Sequence, residues 1–156
     1  MMRKAKETVA VEQDSLDARF LLFHLGETVY GLPLTAVLEI LNMQKITSVP
    51  QIAPYIKGVI NLRGKIVPVV DLRLKLGMEE RAYDQMTCVV ILEIGTSHVG
   101  LVVDDVQEVV NIPAAQRSAP PAEAKNLAHV AQRGKDVALL FDCRRLFEKE
   151  LPKVEA

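Results

Sequence analysis

Gly26-Glu27-Thr28-Val29-Tyr30-Gly31-Leu32, running on to Val37, Glu39 and Ile40, returns 69 residues later as Gly95-Thr96-Ser97-His98-Val99-Gly100-Leu101 with Val106, Glu108 and Val109 in the same places. The shared string is G-x-x-x-x-G-L-x-x-x-x-V-x-E-[IV]. At an offset of 71, Val59 matches Val130, Asp71 matches Asp142 and Arg73 matches Arg144. Between these sets, Arg63-Gly64-Lys65 recurs as Arg133-Gly134-Lys135. Self-similarity over this length reads as the duplication of one supersecondary unit, with the copies predicted at about 20–78 and 87–151.

Working outward from the repeat, each copy reads as short β-strands broken by tight turns. Apolar, β-branched stretches at 20–25 and 28–34 flank Gly26-Glu27, and those at 58–62 and 65–70 flank Arg63-Gly64. In the second copy, 88–94 and 98–103 flank Gly95-Thr96-Ser97, and 137–141 follows Gly134-Lys135. Such pairs around a glycine-bearing turn are hairpin signals. Helical signals are brief. Asp71 precedes 72–76 with Gly77 behind it, and Asp142 precedes 143–151 with Pro152 behind it, an N-cap residue and a stop in each case. The fold class is therefore all-β with short helices. A five-stranded open sheet must hide its edges, most simply by curling into a small barrel. The continuous apolar runs further imply burial on both strand faces, so the expected architecture is two pseudo-symmetric barrels sharing an apolar seam, with a groove beside it where a partner could sit.

Composition narrows the functional classes. The chain has 156 residues, 19 Lys and Arg against 20 Asp and Glu, and 49% apolar residues. At this length roughly 70% of the unfolded chain's surface can be buried. Near-zero net charge lacks the electrostatic footprint of a protein working on nucleic acid or anionic lipid. The longest apolar runs stop far short of the ~18 residues of a membrane span. No apolar stretch follows the basic residues Arg3, Lys4 and Lys6, so the start does not read as a signal peptide. Cys88 and Cys143 form no C-x-x-C pair, and read as reduced thiols in a cytoplasmic protein.

Catalytic patterns are weak. Of His24, His98 and His129, two sit inside strand patterns as core or surface histidines do, and Gly64-Lys65 lacks the spacing of a phosphate-binding loop. Asp104-Asp105, a carboxylate pair aligned with Thr35-Ala36 in the other copy, reads as a turn or helix start. No enzyme activity, catalytic residue, cofactor or metal is expected. Arg63, at a hairpin tip beside a glycine, stands out because an exposed guanidinium fork can grip a carboxylate or carbonyl on a partner.

The run Asn61-Leu62-Arg63-Gly64-Lys65-Ile66-Val67-Pro68-Val69-Val70-Asp71-Leu72-Arg73, preceded by Ala53-Pro54-Tyr55-Ile56-Lys57-Gly58-Val59-Ile60, resembles the signature of CheW-type chemotaxis coupling proteins. Supporting stretches lie at 23–34, 37–41, 46–50 and 99–104, and the resemblance covers about 20–151. It implies two SH3-like β-barrel subdomains within a CheW-like domain at 19–151, flanked by tails at 1–18 and 152–156. It also implies a non-enzymatic scaffold that links the cytoplasmic tip of a methyl-accepting chemoreceptor to the regulatory domain of a CheA-type histidine kinase. Such a protein would be cytoplasmic and recruited to receptor arrays, with neither nucleic acid nor direct membrane insertion involved. Carried over position by position, the receptor-binding residues would be Val37, Glu39, Gly58, Asn61, Arg63 and Gly64, around the groove between subdomains, with Gly58 admitting a receptor helix closely. The rival reading is a small β-barrel nucleic-acid-binding protein, which would interleave basic and aromatic residues on one face. The three Tyr and four Phe are instead scattered, and Trp is absent.

Overall fold

A computed structural model describes residues 18–148. The tails expected at 1–18 and 152–156 lie outside the described residues, Ala18 excepted, while the helix expected over 143–151 already ends at Leu146, where Phe147 is its C-cap. Ala18 is buried, and its carbonyl accepts the Ile112 N–H at 2.8 Å, so this residue of the expected tail is packed into the fold. The strands are β1 (Arg19–Leu25), β2 (Thr28–Pro33), β3 (Val37–Asn42), β4 (Ile56–Leu62), β5 (Lys65–Asp71), β6 (Cys88–Ile94), β7 (Ser97–Val103), β8 (Asp105–Asn111), β9 (Arg117–Ser118), β10 (Leu127–Arg133) and β11 (Asp136–Phe141). Helix α1 (Leu72–Lys75) follows β5 and helix α2 (Cys143–Leu146) follows β11. Each is capped as its sequence predicts, Asp71 accepting from Leu74 N and Asp142 from Arg145 N.

The four expected hairpins form, but the sheets do not follow the halves of the chain. One sheet has the order β8-β1-β2-β11-β10-β9 and the other β3-β6-β7-β5-β4. Each half therefore gives its first hairpin to the sheet built by the other half. The exchange is symmetric: leaving aside the two-residue β9 and numbering the remaining strands within each half, both sheets read third, first, second, fifth, fourth. It is sealed by two parallel pairings, β11 with β2 and β5 with β7, in which Leu140 opposes Gly31 and Val69 opposes Gly100. The break between 78 and 87 is consequently not the boundary between the two sheets. Sequence pattern does not reveal the exchange, because two copies of one hairpin present the same apolar faces to either sheet.

Burial explains the apolar runs. Phe20 and Leu22 of β1 face a cluster inside the first sheet with Ile112, Ala131, Ala138 and Leu140. Leu21, Phe23 and Leu25, on the other face of β1, join Leu92, Ile94, Leu101 and Phe147 in the cluster between the sheets. β6 does the same in reverse, with Val89 and Ile91 inside the second sheet and Val90, Leu92 and Ile94 in the seam. The expected shared seam is thus present and is the largest of the three clusters. The repeat's G-L pair has a steric reason. Leu32 and Leu101 enter the seam, while a Cβ at Gly31 would meet Leu140 Cδ2 at 2.6 Å and one at Gly100 would meet Val89 Cγ1 at 3.1 Å.

Two local devices hold the second sheet in shape. At a bulge in β4, Gly58 has φ +144°, and a Cβ there would lie 2.0 Å from the Thr47 carbonyl oxygen. Thr47 needs that approach because it trades two hydrogen bonds of 2.9 Å with Val59, covering the β4 edge. The second device is a latch on Asp104, at the bend between β7 and β8. Its carboxylate accepts from Arg73 Nη2 at 2.7 Å, Arg73 Nε at 2.8 Å, Arg81 Nη1 at 2.9 Å and the Gly26 N–H at 2.8 Å. The Arg73 and Asp104 side chains are only 15% and 10% exposed, so the pair is far less screened than a surface ion pair. Burial tends to raise the Asp104 pKa, but the Arg73 and Gly26 hydrogen bonds and the neighbouring guanidinium charges outweigh it and hold it below the ordinary carboxylate value.

Gly58→Ala should lower the unfolding free energy by roughly 2–4 kcal/mol, because a backbone oxygen must move and the φ is strained for an L-residue. A urea titration showing a loss under about 0.5 kcal/mol would contradict this packing. Asp104→Asn should cost roughly 2–3 kcal/mol at neutral pH. Folding lowers this pKa, so the contribution is complete above the unfolded value near 4 and is lost as pH falls through the folded value. The difference between Asp104→Asn and the parent chain should therefore shrink below about pH 4. A gap that stays constant down to pH 2 would rule out the latch as an ionic one.

Candidate functional site

Glu39 lies on β3 and Arg63 at the β4–β5 hairpin tip, and β3 and β4 are opposite edges of the second sheet. Nevertheless the two side chains form an ion pair, with both guanidinium Nη atoms directed at the Glu39 carboxylate. A contact between opposite edges requires the sheet to curl round on itself, as a small barrel does. The Arg63 side chain is 71% exposed, so the pair sits at the rim, open to solvent. Its hydrogen bonds and charge lower the Glu39 pKa from the ordinary carboxylate value.

The turn that presents Arg63 is a tight one. Both Arg63 and Gly64 have positive φ, 50° and 85°, a pairing suited to a two-residue hairpin of the I′ type. Glycine or asparagine would occupy the first of these positions more easily than arginine. The strained position therefore falls on Arg63 as well as on the glycine beside it. Asn61 Oδ1 accepts the Gly64 N–H at 2.8 Å, which braces this turn from inside.

The six residues carried over from the resemblance thus divide. Glu39 and Arg63 meet, and Asn61 and Gly64 hold Arg63 in place. Val37 is partly buried and packs against the seam cluster, leaving little of it for a partner. At Gly58 the space a Cβ would take is filled by the chain's own Thr47, so its missing side chain serves an internal approach. A cleft of about 720 Å³ is lined by Tyr55, Lys75, Lys125, Asn126, Arg145, Leu146 and Glu148, with none of the six among them. Tyr55 and Asn126 are equivalent in the repeat, since their carbonyls accept the Asp71 and Asp142 N–H groups at 2.7 and 2.8 Å. This cleft therefore straddles the pseudo-twofold relation, and the Glu39–Arg63 rim lies elsewhere on the second sheet.

Sequence reasoning missed exposed apolar residues of the second sheet. Leu38 and Ile40, next to Glu39 in sequence, stand on the opposite face of β3 by strand alternation and are 48% and 43% exposed, and Ile66 follows the hairpin tip at 60% exposed. The strand alternation around Glu39 was the available signal, but it does not say which face is covered. The repeat carries a looser counterpart, with Arg133 Nη1 3.6 Å from Glu108 Oε2 and Val109 and Val137 exposed nearby in sequence. Other candidates take structural places. Cys143 is buried and its thiol is pushed up to about 12 by burial and then by Asp142, so it is unreactive at neutral pH. Cys88 is also a free thiol, raised by burial. The Tyr83 hydroxyl donates to the buried Asp71 at 2.7 Å, and burial with this bond pushes its pKa far above the ordinary tyrosine value. Among the described residues no three His, Cys, Asp or Glu side chains converge as a metal site would require, and no helix is long and apolar enough to cross a membrane.

Comparison with known proteins agrees with this architecture. A family model described as the CheW-like domain matches residues 19–151. The chain is 35% identical over 142 residues to the chemotaxis protein CheW of Klebsiella aerogenes, covering 88% of this chain and 86% of that one. To the CheW of Bacillus subtilis it is 30% identical, covering 85% and 88%. The crystal structure of the scaffolding protein TtCheW from Thermoanaerobacter tengcongensis superposes with a TM-score of 0.80 at 31% identity, over 86% of this chain and 94% of that one. With the domain match spanning nearly all the described residues and the exchanged two-sheet fold shared with a solved scaffold, the chain belongs to the CheW-like family.

Proposed function

We propose that this chain is a non-enzymatic coupling protein of a chemosensory system, holding the regulatory domain of a CheA-type histidine kinase beside the cytoplasmic tip of a methyl-accepting chemoreceptor. The observation that carries the receptor half of this reading is the Glu39–Arg63 rim. It presents a strongly exposed guanidinium on a sheet that also carries exposed apolar Leu38, Ile40 and Ile66. Apolar anchors beside a polar, charged edge are what an amphipathic receptor helix requires. The kinase and receptor partners are those of the CheW-type resemblance, and the family match supports the scaffold role. Recruitment to a receptor array follows from binding both. An adaptor of this kind transmits a signal by contacting two states of a partner with different free energies, so coupling needs no chemistry of its own.

The nucleic-acid reading draws no support. Phe23, Tyr30 and Phe141 stack on one another with centroids 5.0–6.4 Å apart, and Phe23 and Phe141 are buried, so these rings are core and offer no platform for bases.

Arg63→Glu places a second carboxylate beside Glu39 and should weaken receptor-tip binding by roughly tenfold or more while the kinase regulatory domain binds as before. Its melting temperature should stay close to that of the parent, since the tip is exposed. Titration calorimetry against each partner measures both affinities. Receptor affinity equal to the parent's would remove Arg63 from the site. The exchange Glu39→Arg with Arg63→Glu restores the internal pair with its polarity reversed. Recovery of receptor affinity would mean that the pair acts only by shaping the rim; continued loss means that Arg63 itself meets the receptor.

A further inference from the structure

The duplicated halves differ at one place where the chemistry of the first predicts what the second lacks. In the first, the turn at Gly26, helix α1 and the end of β7 are tied together by Asp104, which receives the Gly26 N–H and Arg73. In the second, the matching parts are the turn at Gly95, helix α2 with Arg144, and Thr35 in the position aligned with Asp104. The arginines stand alike against their turns. A Cβ built on Gly26 would lie 3.6 Å from Arg73 Nη2, and one on Gly95 would lie 3.5 Å from Arg144 Nη2, at φ +62° and +65°. Both helices are fixed by the same aspartate cap. The donors are therefore arranged as in the latch, and the acceptor is not. Among the described residues neither Arg144 nor the Gly95 N–H has a partner, and Arg144 is exposed where Arg73 is mostly buried.

We propose that Arg144 and the Gly95 N–H form a carboxylate-binding site that takes an aspartate or glutamate side chain from a partner protein, in the position Asp104 fills in the other half. The ligand class follows from the internal template. The same guanidinium-and-turn arrangement holds a carboxylate within this chain, and the planar guanidinium fork matches its two oxygens. Access from outside follows from Thr35, whose short neutral side chain supplies no carboxylate. Charge complementarity favours an acidic partner segment, because Arg144 is followed by Arg145, whose side chain is 62% exposed, and Lys125 lines the same cleft as Arg145. The proposal rests on the coupling reading only in that the carboxylate belongs to a docking protein.

The test has two arms. In the first, the Gly95 amide and the Arg144 Nε–H are followed by nitrogen–proton NMR while N-acetyl-aspartate amide is added at constant ionic strength, with chloride as the control. The parent chain should show a saturable downfield movement of the Gly95 amide, lost in Arg144→Gln. Thr35→Asp, which returns the acid to its aligned position, should show that amide already moved and unresponsive to the additive. In the second arm, Arg144→Gln and Thr35→Asp should each lower affinity for either the receptor tip or the kinase regulatory domain by roughly fivefold. Both variants should melt no lower than the parent, which excludes misfolding as the cause. Three results overturn the proposal: a Gly95 response unchanged in Arg144→Gln, parent-like affinity of both variants for both partners, or an amide in the free parent chain already moved in an Arg144-dependent way, which would mean that the chain's own acid occupies the site. A parent chain that binds neither partner would end the coupling reading, and the amide titration would then decide the site by itself.

Discussion

Everything in this fold depends on two hairpins being buried on both faces. Residues of β1 and β6 alternate between the interior of one sheet and the seam between sheets, so neither strand has a side that can face water. Such strands need cover from two directions. Each half of the chain meets that need by lending its first hairpin to the other half's sheet, where parallel pairing with β11 or β5 locks it. The seam is then built by both halves together, and the two subdomains are one cooperative unit rather than modules joined by a linker. For an adaptor this matters physically, because a contact on one sheet and a contact on the other are joined by close-packed core and not by a flexible tether.

Within that symmetric frame, the two halves depart from symmetry at the places proposed as sites. Two Glu–Arg pairs occupy equivalent rims, yet the pair at Glu39 and Arg63 makes two hydrogen bonds, while that at Glu108 and Arg133 is a longer contact. Two arginines back equivalent turns, but among the described residues Arg73 meets an acid and Arg144 does not. A duplicated fold starts with two copies of each surface, and such local changes allow the copies to serve different partners. Specificity of this kind is a difference in affinity between alternatives, set as much by what one copy lacks as by what the other has.

The candidate site was legible in the sequence only in part. Arg63 announced itself by sitting between Leu62 and Gly64 at a hairpin tip, and its family motif is long enough to be specific. Its partner Glu39 came from the resemblance; that the two touch depends on the sheet curling until opposite edges meet, which strand periodicity does not encode. Gly58 shows the reverse problem. A glycine within a strand pattern signals close approach of something, and the sequence does not say whether that is a ligand or the chain's own backbone. Here the oxygen of Thr47 fills the space. Asp104 read as a turn residue, and it does stand at a bend. Its latch escaped notice because Arg73 is 31 residues away in sequence and only the fold brings them together.

By itself the sequence determined the local geometry: the four hairpins with their turn residues, the two aspartate-capped helical turns, the apolar runs that demand burial on both faces, and the duplication. These are short-range properties, set by backbone preferences and by side-chain alternation within a few residues. The tertiary structure decided which strands pair across the halves, which glycine faces backbone and which faces solvent, and which arginine finds an acid. Those outcomes depend on long-range neighbours, and since the two halves carry nearly interchangeable hairpins, the same pattern is compatible with strands kept within each half or exchanged between them. Only the packed seam, where both faces of β1 and β6 are covered at once, shows that they are exchanged.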